Sequence, residues 1–394
     1  MRTILPEVVT LGCRLNLAES EVIRAMLAEA ERPTVVVNSC AVTAEAVRQS
    51  RRAVRRLRRD HPDARLLVTG CAATIEAESF AAMPEVDGVV ANAGKLLPAS
   101  WGGSAAMLQS SQIHTRAFVP VQTGCDHACT FCVIPQGRGR SVSTPVADVL
   151  ATVERHLALG VREVVLTGVD VTGWGADLPD TPKLGVLVDA ILRAFPALPR
   201  LRLSSLDGVE IDDALFELIT GEDRVMPHVH LSLQSGSDMV LKRMKRRHSR
   251  ADAIALVHLL KAARPGIAVG ADLIAGFPTE DEGMHADNLS IVRECAVVHG
   301  HVFPYSPRPG TPAARMPQVS PPLVRERAGE VRATVAAERA RWLQTRLGKP
   351  AQVLAERDGT GHAPDFAPYR LPEGVAPGDL VTITPTRIIE GMLA

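Results

Sequence analysis

The sequence predicts an α/β protein with three parts. These are an N-terminal parallel-sheet α/β domain, a partial TIM-type (β/α)6 barrel, and a small C-terminal β-barrel of the OB type. Three observations predict it. Apolar, β-branched runs alternate with helical patterns through most of the 394 residues, as expected of buried parallel strands. The first three such runs each end at a cysteine. Beyond Gly348 the pattern changes to short alternating stretches between Gly and Pro turns, which suits a small barrel.

Taken in order, Glu7 to Leu11 reads as a strand ending at Gly12-Cys13, and Thr34 to Asn38 as a second ending at Ser39-Cys40. A long Arg-rich helix spans Ala44 to Arg59, and Arg65 to Thr69 is a third strand ending at Gly70-Cys71. Loops after the C-termini of parallel strands converge on one crevice. Cys13, Cys40 and Cys71 are therefore expected to meet in space. Ser100-Trp101-Gly102-Gly103-Ser104 has the composition of a linker. The alternation then resumes, with strands near 118–122, 163–167, 200–204, 229–233, 268–274 and 297–303 and helices such as 146–159 and 183–194 between them. Pro-rich Phe303 to Gly310 ends this pattern, a basic helix runs from Pro322 to Leu347, and strand-like stretches follow at 351–356 and 379–384. The expected domains are 1–104, 112–346 and 347–394.

Composition narrows the function classes. No apolar run reaches the length of a membrane span, and the opening Met1 to Pro6 lacks the pattern of a secretion signal, so a cytoplasmic protein without membrane attachment is expected. Basic and acidic residues balance at 44 each, so a nucleic-acid partner would have to be met by local charge. Arg48, Arg51, Arg52, Arg55, Arg56, Arg58 and Arg59 form one such cluster; 242–250 and 325–346 are two more. Seven cysteines in a cytosolic chain favour metal chemistry over disulfides.

The decisive stretch is Gly124-Cys125-Asp126-His127-Ala128-Cys129-Thr130-Phe131-Cys132. Three thiolates in a short loop suit a soft multi-iron centre, which then keeps one iron without a protein ligand. A structural zinc would want four closed ligands, and no fourth stands at suitable spacing. Cys295, among Ile291, Val292 and Val298, reads as a buried core thiol. No Walker-type loop or Ser-His-Asp order is present.

Cys-x3-Cys-x2-Cys after a first barrel strand, with an aromatic before the last cysteine, resembles the radical S-adenosylmethionine (SAM) superfamily. Leu11-Gly12-Cys13-Arg14-Leu15-Asn16, Val37 to Thr43, Val68 to Cys71, Ile134 to Ser141, His230 to Ser237, Asp272 to Pro278 and Tyr305 to Thr311 resemble its methylthiotransferase family. The C-terminal part resembles that family's TRAM segment, so the likeness covers nearly the whole chain. The Cys-Arg-Leu-Asn opening and Asn-Ser-Cys-Ala-Val-Thr are most similar to the MtaB branch, which adds a methylthio group to N6-threonylcarbamoyladenosine beside the tRNA anticodon. The branches acting on isopentenyladenosine in tRNA or on a ribosomal-protein aspartate match less well. Where this family shows a proline near Gly208 and a tyrosine near Trp174, the chain departs from it.

The resemblance implies two 4Fe–4S clusters and SAM. Cys125, Cys129 and Cys132 would hold the cluster whose open iron chelates SAM for reductive cleavage to a 5′-deoxyadenosyl radical. Cys13, Cys40 and Cys71 would hold the second, where sulfur is held, methylated and passed on. Gly168, Asp170, Ser204, Ser232, Gln234 and Gly276, at strand ends, are the candidate SAM contacts. The implied partners are tRNA, gripped by the Arg48–Arg59 helix and the TRAM-like tail, and an electron donor of the flavodoxin or ferredoxin type. The sulfur donor stays open, and a monomer is expected. The rival from another class is a non-catalytic iron–sulfur RNA-binding sensor, which would produce no 5′-deoxyadenosine.

Overall fold

A computed structural model describes residues 7–28, 32–102 and 115–394. The chain divides into two compact units. One comprises 1–113, 123–142 and 306–311; the other comprises 114–122, 143–305 and 312–394. The 104/112 boundary expected from sequence lies outside the described residues.

The first unit is built on a four-stranded parallel sheet, in the order β1 (Val8–Thr10), β2 (Thr34–Ser39), β3 (Arg65–Gly70) and β4 (Gly88–Val89). Every side chain of β2 is buried, which is why that strand reads as a continuous apolar run and not an alternating one. Helix α1 (Arg14–Leu27) follows β1, and α2 (Ala44–Asp60) follows β2. The Thr43 side chain caps α2 by accepting from the Ala46 N–H at 3.1 Å. Two short helices, α3 (Cys71–Ile75) and α4 (Ala77–Ala81), follow β3 directly, and α5 (Ile134–Arg138) belongs to the same unit. Of the stretch expected to be a linker, Trp101 belongs to the core. Trp101 is buried among Val8, Ile23 and Leu67, and its indole N–H donates to the Lys95 carbonyl at 2.8 Å. A large aromatic with a satisfied N–H overrides the small, polar composition around it.

The second unit carries two parallel sheets. One is ordered β5 (Ala117–Pro120), β6 (Glu163–Thr167), β7 (Arg200–Leu203); the other β8 (Ser205–Leu206), β9 (His228–Gln234), β10 (Ala268–Ala275), β11 (Val297–Pro304). The third strand expected from sequence is thus split at Ser204, where the chain leaves one sheet and enters the next. Helices α6 (Val146–Ala158), α7 (Leu184–Ala194), α8 (Asp213–Gly221), α9 (Asp238–Met244), α10 (Arg250–Ala263) and α11 (Glu282–Glu294) connect the strands. A core of Val, Leu and Ile fills the space between layers, and Cys295 lies in it, fully buried.

Helix α12 (Pro321–Gln344) leads into a six-stranded mixed sheet made of β12 (Ala351–Ala355), β13 (Thr360–His362), β14 (Pro368–Arg370), β15 (Leu380–Ile383), β16 (Ile388–Ile389) and β17 (Met392–Leu393). Its pairs are antiparallel except β14 with β17. The sheet packs on the strand starts of the unit's parallel core. Arg200 donates to the carbonyls of Gln352 at 2.5 Å and His362 at 3.2 Å, and the Phe366 ring lies under Arg116 and Arg202. Among the described residues no helix is long and apolar enough to cross a membrane.

Candidate iron–sulfur sites

Three strand ends bring Cys13, Cys40 and Cys71 to one edge of the first unit's sheet. Cys13 occupies the N-cap of α1 and is exposed; Cys40 follows β2 and Cys71 opens α3, both buried. The buried Asn16 side chain knits two of these ends together. Its amide donates to the carbonyls of Leu11 at 2.8 Å and Ser39 at 3.1 Å. Ser39 ties in the third end by donating to the Thr69 carbonyl at 2.5 Å and accepting from the Ala73 N–H at 3.0 Å. The backbone before Cys13 must be glycine. Gly12 has φ +95°, and a Cβ there would lie 2.7 Å from the Cys40 sulfur.

The second trio lies on the loop that runs into α5, in the same unit. The His127 N–H points at the Cys125 sulfur and the Ile134 N–H at the Cys132 sulfur, each at 3.4 Å. Gly124 makes the entry turn with φ +72°. Any Cβ there would collide with the Arg140 carbonyl, 1.8 Å away.

Two contacts tie this loop to the strand-end cysteines. Arg138 is buried and donates to both Glu19 oxygens at 2.8 and 2.9 Å and to the Asn16 oxygen at 2.6 Å. Asn92 donates to the Gly137 carbonyl at 2.6 Å and faces the Cys71 sulfur at 3.6 Å. Gly137 is the contact surface itself, since a Cβ on it would meet Cys71 at 3.2 Å. Lys95, also buried, reaches Glu19 at 2.5 Å. Burial alone would raise the Glu19 pKa, but hydrogen bonds and charge from Arg138 and Lys95 hold it below the usual range. One carboxylate is thus shared by two basic side chains beside the thiols, and burial lowers the pKa of Lys95. Burial, reinforced by Cys13 and Cys71, pushes the Cys40 thiol up to about 11, while Arg138 works in the opposite direction. Sulfur ligands flanked by N–H donors and a buried cation fit an anionic thiolate-bound cluster.

Arg138 lies inside the Ile134 to Ser141 motif, which by itself assigns it no role, and no local pattern marks Glu19, Lys95 or Asn92.

The candidate SAM residues all lie in the second unit, at or beyond strand ends except Ser232, which lies within β9. Gly168 and Asp170 follow β6. Their loop is held by Gln122, whose side-chain oxygen accepts from the N–H groups of Val169 at 3.0 Å and Asp170 at 2.9 Å. Those two backbone donors are therefore already used within the protein. Ser204, at the strand break, has a buried hydroxyl with no partner among the described residues, the kind of orphan that a ligand satisfies. The Ser232 hydroxyl pairs with that of Ser205 at 3.1 Å. Gln234 takes a left-handed backbone, φ +64°, at the end of β9. Gly276 has φ +71°, and the close approach it permits is made by Val324 of α12, 2.7 Å from an added Cβ.

The basic clusters are largely neutralised by local acids. On α2, Arg48 and Arg52 pair with Glu45, Arg51 with Glu76, Arg55 with Glu85, and Arg58 with Asp87. Arg56 and Arg59 have no acidic partner among the described residues. Elsewhere, Arg246 and Arg247 hold Asp207, and Arg327 holds Glu280.

Comparison with known proteins gives the family. Residues 119–289 match the model of the Radical SAM superfamily, and residues 6–91 match the Uncharacterized protein family UPF0004. The threonylcarbamoyladenosine tRNA methylthiotransferase MtaB of Rickettsia prowazekii is 42% identical over 98% of this chain and 96% of its own length. The chain belongs to the MtaB-like radical SAM methylthiotransferase family. The MtaB of Chlamydia pneumoniae is 33% identical over 98% of this chain and 96% of that protein. The tRNA-2-methylthio-N(6)-dimethylallyladenosine synthase of Zymomonas mobilis is 32% identical over 95% and 92%. Among solved structures, the radical SAM methyltransferase TsrM of Kitasatospora setae is 17% identical with a TM-score of 0.51, covering 76% of this chain and 69% of that one. That likeness bears on the fold. As a member of its family, the methylthiotransferase is a radical SAM enzyme, with 4Fe–4S chemistry and SAM as its cofactors.

Proposed function

We propose that this methylthiotransferase adds a methylthio group to C2 of N6-threonylcarbamoyladenosine beside the tRNA anticodon. The observation that carries this reading is the end-to-end identity of 42% to a relative named for that substrate. The dimethylallyladenosine-type relative is more distant, at 32%. In this reading Cys125, Cys129 and Cys132 hold one cluster, and Cys13, Cys40 and Cys71 hold a second. When bound, the clusters and SAM supply reductive SAM cleavage, hydrogen abstraction from the base and the sulfur that is methylated and transferred.

The chain's own residues do the positioning. Asn16 and Ser39 hold the strand-end cysteines in register, and Arg138 offsets the charge of thiolates around it. Gly168, Asp170, Ser204, Ser232, Gln234 and Gly276 shape the SAM side, with the unpaired Ser204 hydroxyl as the strongest candidate for direct contact. We read residues 1–104 as the sulfur-carrying domain, 112–346 as the radical SAM domain and 347–394 as a TRAM-like RNA-binding module. Arg56 and Arg59, free of acidic partners among the described residues, are left to meet phosphates, which position RNA without reading sequence. A small flavodoxin- or ferredoxin-type donor would supply electrons, and the chain would work in the cytoplasm as a monomer.

Mass spectrometry of tRNA nucleosides from cells with and without the gene tests the substrate. Loss of the methylthio form of N6-threonylcarbamoyladenosine supports the reading. Loss of the methylthio form of isopentenyladenosine instead, or unchanged nucleosides, rejects it.

A further inference from the structure

Three adjacent strands of the second unit place His230, Asp272 and His301 together. His230 Nε2 and His301 Nδ1 both meet Asp272 Oδ1, at 3.0 and 3.1 Å. Asp272 and His301 are direct partners in the register of β10 and β11. The Ser205 hydroxyl donates to the other oxygen, Oδ2, at 3.1 Å. Gly270 makes room for the His230 ring, since a Cβ there would lie 2.5 Å from its Nδ1. The two imidazoles lie 4.6 Å apart, centre to centre. Burial alone would raise the Asp272 pKa, but hydrogen bonds from both histidines hold it well below the carboxylate range. This network contains neither cluster cysteines nor any group used above except Ser232, through Ser205.

The three residues differ in exposure. His230 is buried, whereas the His301 side chain is 61% exposed. A carboxylate on Nδ1 fixes both the tautomer and the aim of an imidazole, leaving Nε2 for another partner. His301 Nε2 has none among the described residues. We propose that His301, aimed by Asp272 and backed by His230, is the subsite for the carboxylate-bearing arm of the modified adenosine. This rests on the substrate reading above.

The chemistry separates the two base modifications in the relatives' names. With Nδ1–H given to Asp272, the ring presents Nε2 as an acceptor, and a threonylcarbamoyl arm carries a hydroxyl and a urea N–H that can donate to it. A dimethylallyl arm has no such donor beyond the base and would leave Nε2 unpaired. Sites built to hydrogen-bond a substrate group reject analogues lacking it far more strongly than apolar pockets reject extra polarity. A divalent cation is the other chemistry these donors admit. It would require the two nitrogens that face Asp272 to give up the protons they share with it.

The test is equilibrium binding of the full-length, cluster-loaded chain to synthetic anticodon stem-loops. These carry threonylcarbamoyladenosine, dimethylallyladenosine or plain adenosine at the target position. Wild type is expected to prefer the threonylcarbamoyl form. His301→Leu is expected to lose roughly 10-fold or more of that preference, with unchanged affinity for plain adenosine and unchanged iron content and melting temperature. Asp272→Asn, which releases the aim of the ring but keeps its shape, is expected to fall between the two. Preference retained in both variants overturns the subsite alone. No preference in wild type overturns the substrate reading and the subsite with it. Stoichiometric zinc, or iron beyond the thiolate-bound clusters, that disappears in His301→Leu overturns the proposal in favour of a metal site.

Discussion

The Arg138 guanidinium, six residues beyond Cys132, grips the Glu19 carboxylate, six residues beyond Cys13, through two buried hydrogen bonds of 2.8 and 2.9 Å. The two cysteine loops are thereby joined by one charge-assisted fork. Removing one partner of such a buried pair costs about 3–5 kcal/mol, because the other charge is left uncompensated. Arg138→Leu is expected to lower stability by that order and to reduce iron bound at Cys13, Cys40 and Cys71. Arg138→Lys keeps the charge but not the fork, and is expected to recover only part of both. Urea melts and iron analysis of the reconstituted variants measure the two effects.

The two-cluster reading proposed above implies about eight irons per chain. Cys13→Ala, Cys40→Ala and Cys71→Ala are each expected to halve that number while SAM still yields 5′-deoxyadenosine with dithionite. Cys125→Ala, Cys129→Ala and Cys132→Ala are expected to stop 5′-deoxyadenosine formation. A wild-type chain that reconstitutes to only four irons, with Cys13→Ala unaffected, would remove the second cluster from the reading.

Gly12 offers a narrower probe. Its φ of +95° and the 2.7 Å gap to the Cys40 sulfur mean that Gly12→Ala introduces both backbone strain and a collision at a ligand. The strain alone is worth about 1–2 kcal/mol. The expected outcome is a loss of at least that size, with iron lost from the strand-end trio and none from the Cys125 trio.

Glu163 gives the second unit its own acid sensitivity. Burial would raise its pKa, but Arg202 first and then Arg116 and Arg200 pull it down to about 2 from 4.5. Because the folded value is depressed, the stabilisation is full above 4.5 and disappears as pH falls through about 2. Its size is on the order of 3 kcal/mol. Between neutral pH and roughly pH 3, wild type is expected to lose more unfolding free energy than Glu163→Gln, whose pH dependence should be flatter. Equal slopes in denaturant titrations would show that these arginines do not act through Glu163.

Cys295 is expected to behave as packing. It is fully buried, and burial pushes its thiol up to about 11. Alkylation of the native protein should spare it until unfolding, and Cys295→Ala should leave iron content unchanged. Labelling of Cys295 under native conditions would contradict this.

Much of the fold was legible because burial writes itself into local pattern. The all-buried β2, and β3 buried beyond Arg65, read directly as Val- and Leu-rich runs, and the C-terminal alternation marked a sheet of a different kind. Trp101 was misplaced because its neighbours are small and polar, while its own burial depends on Val8 and Ile23, far away in sequence. The arginines of α2 looked like one basic face for the same reason. Glu76, Glu85 and Asp87, which pair with three of them, arrive from later segments.

By itself, the sequence singled out the six cysteines proposed to carry the chemistry, at two kinds of spacing. Thiolate ligation depends on residue type and short-range geometry, and both are local. Only the tertiary structure decided what stands around them. Arg138, Lys95 and Asn92 come from separate segments, and a buried charge declares itself only where another chain segment satisfies it. The same holds for His301, an ordinary strand residue until the sheet register sets it opposite Asp272.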